Sequence, residues 1–572
     1  LAILSILAAM GLFILAPLAV MLFRSFTDDG GRFVGLDHFI AYFRNRALRQ
    51  SLGNTFILGL VTMTATLLLA FPFAYAVSCT LMPMRKLFAV LCMLPLYAPT
   101  MLYGIGLYSL FGNQGLLTTG LFGRTQLHVN LYIHGLTGII LCEVLATIPP
   151  AVLVLVVSLS HRDRRLYEAA ASMGASTFRV FRVITLPMCT GALISAAAIA
   201  FMISTTDYGA PEMLAEKTNF MALDIAVKAL GVGQPSDHAM GAVISLVLVV
   251  PTVIASAVQM MMRTQQSAAV SARSVPMPPT RVPVIDWLLF LYCALVTGAI
   301  LLVTLSPLVL SFARNWPYSL YPATGGSHFK GPAFTLSNYN FDQIGQATGG
   351  GMNAYWTSLI VAGLTAIFGT AISFTSAYLI DKSRVFAGLR RFARAVAIIP
   401  LGLPGLVLGL SFVLIFNPVK WGPFLNPTSM LYNTVALLVI CNVVHYLGVS
   451  FLAASAAVSQ LDAEFEQVAT SMAVPTWRVF VQVTVPICLP AILEIAIYYF
   501  VSAMTTVSAV IFLVSVKTPL ASVAIINLKD AGNLEPAAAM AVLVLLSNVI
   551  VRAAAEPALR YLRHRTKRWE TT

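Results

Sequence analysis

The sequence predicts an all-α membrane protein of about twelve transmembrane helices, built as two homologous halves. Three observations predict it. Of 572 residues, 58% are hydrophobic and only 10% charged, with a mean hydropathy of +0.85; soluble domains carry roughly a quarter charged residues. Apolar runs of about 20 residues, the length that crosses a hydrocarbon core of about 30 Å, recur along the whole chain. The chain also repeats itself at an offset of 299 residues. Bilayer, not water, must be the solvent for most of this surface.

The first half holds apolar runs near 1–23, 52–78, 88–111, 132–158, 187–206 and 240–262. The second holds them near 285–312, 353–380, 393–416, 430–457, 487–515 and 536–557. Residues 1–23 lack a small-residue cleavage site and read as a span, not a signal peptide. The sequence starts at Leu1, so part of the N-terminus is expected to precede it. Between the halves, 263–284 is polar and proline-rich, with Arg263, Gln265, Gln266, Arg273, Pro276, Pro278, Pro279 and Pro283. It reads as a linker, which divides the chain into 1–262, 263–284 and 285–572.

Twelve crossings put both termini and the linker on one side. Most basic residues fall there, including Arg162, Arg164, Arg165, Arg179, Arg182, Arg390, Arg391 and the tail from Arg560 to Arg568. That bias predicts cytoplasmic termini. Arg24, Arg32, Arg44, Arg46 and Arg49 fall on the other side, where an amphipathic interfacial helix near 36–50 would accommodate them. The net charge of +13 is therefore read as topology, not as nucleic-acid binding. Seven cysteines stand singly without C-x-x-C spacing, which argues against a zinc site or a disulfide framework.

In the repeat, residues 168–187 (EAAASMGASTFRVFRVITLP) align without gaps to 467–486 (QVATSMAVPTWRVFVQVTVP), with nine of twenty positions identical. Cys142-Glu143-Val144 matches Cys441-Asn442-Val443, and Pro95 and Pro99 match Pro400 and Pro404. Such a parallel duplication implies a pseudo-two-fold axis along the membrane normal. The repeated segment itself predicts a short helix ending in a φ > 0 turn at Gly174, then an amphipathic helix from Thr177 to Ile184 that enters the next span at Pro187.

At Glu168, Ala169, Ala170, Gly174, Leu186 and Pro187 the segment resembles the EAA loop of binding-protein-dependent ABC importer permeases of type I, the MetI-like fold. The resemblance covers essentially the whole chain as two fused permease domains. It implies an inner-membrane transport subunit of bacterial type, not an enzyme. It also implies two ATPase subunits at the cytoplasmic loops, a periplasmic solute-binding protein at external loops near 207–238 and 313–352, and surrounding lipid. No cofactor is implied on this chain; ATP and magnesium would sit on the partner. The implied docking residues are Glu168, Ala169, Ala170, Gly174 and Phe178 in the first copy. In the second they are Glu466, Gln467, Ala469, Ala473 and Trp477, where Gln467 and Ala473 depart from the pattern and suggest altered docking. Within the superfamily, Leu110–Gly115, Thr206–Pro211 and Thr505–Phe512 are similar to fused permeases assigned to 2-aminoethylphosphonate uptake. Ferric-iron permeases, and thiamine permeases at greater distance, share much of the pattern.

A G-x-x-x-x-G-K-[ST] loop occurs nowhere in the chain, so a phosphate-cradling ATPase loop is not encoded. Glu143 and Asn442 lie mid-span in equivalent positions, either hydrogen bonded to each other across helices or lining the pore. Thr205, Thr206 and Asp207 end the fifth span, with Thr505 and Thr506 opposite by the repeat. They could flank a translocation path, Asp207 meeting a substrate ammonium, or simply cap a hydrated helix end. A twelve-span ion-coupled transporter is the rival of another class; it would leave the paired loops unexplained.

Overall fold

The computed structural model describes residues 2–28, 31–119, 129, 131, 133–231, 235–269, 275, 277–279, 281–314, 316, 334–341, 351–382, 387–417, 430–461 and 464–570. Among them the chain is helical, with isolated bridges such as Thr27–Phe33 and Ala313–Phe334. Eight continuous helices are long and apolar enough to cross a membrane: Ile3–Ser25, Arg46–Cys79, Leu136–Ser160, His238–Met262, Pro283–Phe312, Gly351–Lys382, Val435–Ser459 and Leu534–Arg565. Of the interfacial helix expected near 36–50, the structure has a helix Asp37–Arg44; Arg46 and Arg49 instead begin the next helix, Arg46–Cys79, which the Asn45 side chain caps through Ala47 and Leu48.

The remaining four spans are broken, which corrects the uniform spans expected from hydropathy. The runs at 88–111 and 393–416 are each two legs, bent by 104° at Ala98–Pro99 and by 112° at Leu403–Pro404. Proline explains the break. Pro95 and Pro400 sit inside 3-10 turns, while Pro99 and Pro404 push the residues before them, Ala98 and Leu403, into extended backbone. The run at 187–206 is a helix Thr190–Thr206 bent by 59° from an elbow helix Thr177–Met188; its repeat, Leu489–Thr505, is bent by 78° from Thr476–Ile487. The span expected at 487–515 therefore stops ten residues early. Val507, Ala509, Val510, Phe512 and Leu513 are apolar because protein, not lipid, buries them.

Each elbow carries a one-turn π-helix, Phe181–Thr185 and Phe480–Thr484, at the repeat offset. The wide π turn fits an element that must bend on entering the membrane. Phe181 packs against Phe71 and Tyr75, and Phe480 against Phe374 and Tyr378, so each elbow rests on the long second span of its own half.

The halves exchange their first helices. Pro283–Phe312 packs on Thr100–Phe111 and Arg46–Cys79 of the first half, and Ala16–Ser25 packs on Gly405–Phe416 of the second. The Tyr292 hydroxyl donates to Leu69 O at 2.7 Å across this seam. Two further cross-half bonds occupy equivalent places: Thr252 Oγ1 donates to Gly402 O at 2.9 Å, and Asn548 Nδ2 to Tyr97 O at 2.8 Å. Both acceptors lie in the 3-10 turns that break the third spans. One buried core spans both halves.

Gly106 fixes how closely the exchanged helix approaches: a Cβ there would meet Val303 O at 2.2 Å, whereas one at Gly298 on the facing helix would meet nothing within 4 Å. Gly106→Ala is therefore expected to destabilise the protein by about 1–3 kcal/mol, since backbone must shift. Gly298→Ala should be neutral or slightly stabilising. Thermal denaturation of the detergent-solubilised chain checks both.

Candidate functional site

Most described residues of the two repeated loops are exposed. In the first, Asp163 caps a helix Arg164–Ser172 by accepting from Arg165 N. Glu168 and Ala169 are exposed, Ala170 is partly exposed, and the Glu168 carboxylate pairs with Arg164 at 2.5 Å within the same helix. In solvent such an i,i+4 pair contributes only a few tenths of a kcal/mol. Tyr167 ties the helix to its elbow. Its hydroxyl bonds Thr185 of the π turn at 2.9 Å, and the Arg162 guanidinium lies 5.6 Å from its ring centre. Burial pushes the Tyr167 phenol above its ordinary pKa, with Thr185 and Arg162 pulling the other way, so it stays a neutral hydroxyl.

The second loop repeats this layout as a helix Glu464–Ser471. Gln467 is exposed and Ala469 half-buried; the side chain of Glu466 lies outside the described ones. Gly174 has φ +69°, and Ala473 at the equivalent place has φ +53°. The turn is thus retained where the sequence suggested a change, at the strain that a Cβ brings to left-handed backbone.

What the loops offer is apolar. Met173 and Phe178 are 85% and 72% exposed, and their repeats Met472 and Trp477 are 70% and 63% exposed. Large apolar side chains held out at equivalent positions of two polar loops form a surface shaped for a partner.

The residues expected along a translocation path separate into two groups. Glu143 is fully buried, and Asp207 is its neighbour in both electrostatics and side-chain hydrogen bonding. Asp207 is committed: one oxygen accepts from Ala210 N at 2.8 Å and the other from Thr100 Oγ1 at 3.1 Å. It therefore ties the end of the Thr190–Thr206 helix to the start of the Thr100–Phe111 helix. A Cβ at Gly209 would meet Thr100 Oγ1 at 2.4 Å, which marks how tight that junction is. Thr205 and Thr206 donate to their own helix at Phe201 O and Met202 O, each at 2.8 Å, and Thr505 to Val501 O at 3.0 Å. Asp207 and Thr506 both leave their helices in extended backbone, with ψ 140°.

Asn442, the repeat of Glu143, is also fully buried, and its side chain has no hydrogen-bond partner, so the two are not bonded to each other. The acid pair Glu143–Asp207 becomes Asn442 and Thr506 in the second half, leaving the buried acids on one side only. Glu494 lies in a network instead, bonded to Arg552 and Arg563 at 2.9 Å each.

Sequence reading missed the contact across the halves on the membrane face opposite the loops. There Lys529 Nζ donates to Glu212 O at 2.9 Å and lies 3.8 Å from the Glu212 carboxylate. These residues, with His134, Tyr108 and Glu216, line a polar cavity of about 470 Å³. Neither residue is repeated in the other half, so the duplication gave no signal. Among the described residues no group of three or more His, Cys, Asp and Glu is placed to hold a metal ion.

A family model described as the binding-protein-dependent transport system inner membrane component matches residues 82–263 and 383–557. The chain is 25% identical over 557 residues, 93% of its length and 74% of the relative, to a ferric transport system permease protein of Actinobacillus pleuropneumoniae. It is 25% identical over 531 residues, 88% of its length and 76% of the relative, to a protein provisionally named as a ferric transport system permease of Haemophilus influenzae. To a protein provisionally named as a 2-aminoethylphosphonate transport system permease of Salmonella typhi it is 24% identical over 155 residues, 27% of the chain and 53% of the relative.

The left-handed turns make a paired prediction. Ala473→Gly should relieve strain and stabilise the second loop by about 1 kcal/mol, and Gly174→Ala should weaken the first by a similar amount. A Cβ at Gly174 meets nothing within 4 Å, so strain alone is read. Amide exchange over 164–175 and 464–474 measures both effects.

Proposed function

The chain belongs to the family of binding-protein-dependent transport system inner membrane components, and on that premise we propose that its two halves form the complete translocation pore of an ATP-driven importer. One observation carries the reading: the paired apolar residues Met173, Phe178, Met472 and Trp477, exposed at the same places on both repeated loops. In this reading the loops lie in the cytoplasm, as do both termini, and each docks on one of two ATPase subunits that hold the ATP and magnesium. Glu168, Ala169, Ala170 and Gly174 shape the first docking helix; Glu466, Gln467, Ala469 and Ala473 shape the second. A solute-binding protein delivers cargo to the opposite face.

The packing supports a route for force. A push on a loop helix reaches its elbow through Tyr167–Thr185 in the first half, and the elbow bears on the second span through Phe181 or Phe480. Since the first helices are exchanged, moving one half displaces the other. The Glu212–Lys529 contact would then be a closed outer gate, and the ends of the fifth spans at Thr205–Asp207 and Thr505–Thr506 would move with it.

For cargo we favour ferric iron over 2-aminoethylphosphonate. The relatives that match nearly the whole chain bear ferric names, whereas the phosphonate relative matches about a quarter of it. Asp207 also spends both oxygens on structure, which weakens its case as an ammonium ligand.

Two outcomes test this. Phe178→Glu with Trp477→Glu should lower ligand-stimulated ATPase activity of the assembled complex at least about tenfold, the scale of buried aromatic anchors, while the chain still inserts. Normal stimulation in that variant would remove the docking role. Across a panel of binding-protein ligands, ferric iron should stimulate and 2-aminoethylphosphonate, thiamine and polyamines should not. Stimulation by another ligand would keep the pore and replace the cargo.

A further inference from the structure

The linker between the halves does more than join them. Two main-chain hydrogen bonds fasten it to the root of the first repeated loop: Arg164 N donates to Val275 O, and Met277 N to Arg162 O, both at 2.9 Å. Arg164 is the first residue of the loop helix, where an N–H has no intrahelical partner, so the linker supplies its acceptor. Arg162 is buried to 4% exposure and holds the helix through Tyr167 and its own Nε bond to Leu159 O. Its carbonyl is the point the linker grips.

The linker sequence suits this use. In Val275-Pro276-Met277-Pro278-Pro279, three prolines carry no N–H. Met277 offers the sole donor among residues 276–279, and it is spent on Arg162. A proline-rich strand also loses little entropy on docking.

The second half solves the same problem differently. Leu461 is the repeat of Arg162, and its carbonyl accepts from the Lys382 ammonium at 3.1 Å. Lys382 ends the second span of that same half. The first loop is thus held by main-chain groups of the linker, whose far end is Pro283–Phe312, a helix packed on both halves. The bond to the root of the second loop comes from its own half.

We propose that Val275 and Met277 are a positioning strap for the first loop helix, so that the two ATPase-docking loops, one anchored through the linker and the other through the Lys382 side chain, respond unequally. The unequal response rests on the importer reading above; the strap itself does not. Met277→Pro is the direct test, because it removes the N–H along with the Met side chain. Met277→Ala keeps the N–H and serves as the control. In the solubilised full chain, Met277→Pro should raise amide exchange at Arg164 and the residues after it about fivefold, the scale of one main-chain hydrogen bond. Met277→Ala should not, and Lys382→Met should raise exchange only around 464–471. In the complex with its ATPase, Met277→Pro should cut the ratio of ligand-stimulated to basal ATPase activity about fivefold with basal activity unchanged. Exchange at Arg164 equal to wild type would overturn the strap. Raised exchange with an unchanged ratio would overturn its positioning role. Failure of any ATPase to assemble with the wild-type chain would sink the importer reading, and the exchange result would still decide the strap.

Discussion

In a bilayer every peptide group has to find its hydrogen bond inside the protein, and the rest of this structure follows from how that demand is met where helices break. Eight spans satisfy it within themselves. The broken ones cannot. Prolines at 95, 99, 400 and 404 interrupt the third span of each half, and the carbonyls freed there, Tyr97 O and Gly402 O, accept from Asn548 and Thr252 of the other half. Where the fifth span of the first half ends, Asp207 takes over the Ala210 N–H and reaches Thr100. Two of these three repairs cross from one half to the other and so help bind them together.

That arrangement gives the pore its mechanical character. A core shared by both halves, with first helices exchanged, leaves little freedom for one half to move alone. The loops project from this body on elbows that each carry a π turn, the first tied down by Tyr167. Apolar residues at their tips gain burial only if a partner arrives. The duplication is otherwise imperfect in informative places: buried acids in the first half against amide and hydroxyl in the second, and an ion-pair network around Glu494 in the second alone. Chemistry is unevenly divided over a symmetric scaffold.

Much of this was legible in the sequence. Composition points to the membrane, because no soluble core could absorb 58% hydrophobic residues over this length. The repeat exposed the loops, since Ser172, Met173, Arg179 and Phe181 recur in register and helix propensity with Gly174 marked the turn. Three things were not legible. The 507–513 stretch read as membrane, because hydropathy does not distinguish burial in protein from burial in lipid. The turn at Ala473 survived loss of its glycine, because surrounding structure holds φ where residue preference alone would not. Glu143 was expected to form an interhelical hydrogen bond or line a path, and its neighbour is Asp207, a residue from another span that no periodicity points to.

The central claim is that both repeated loops are docking surfaces for the same kind of ATPase subunit. All seven native cysteines are buried, so cysteines placed at Met173 and Met472 would be the accessible ones. Cross-linking each to the co-expressed ATPase in membranes is the most direct measurement. The account predicts a cross-linked species from each position separately, and two ATPase subunits captured when both are present. Efficient labelling of both positions by a soluble maleimide, with no cross-link from either, would contradict it.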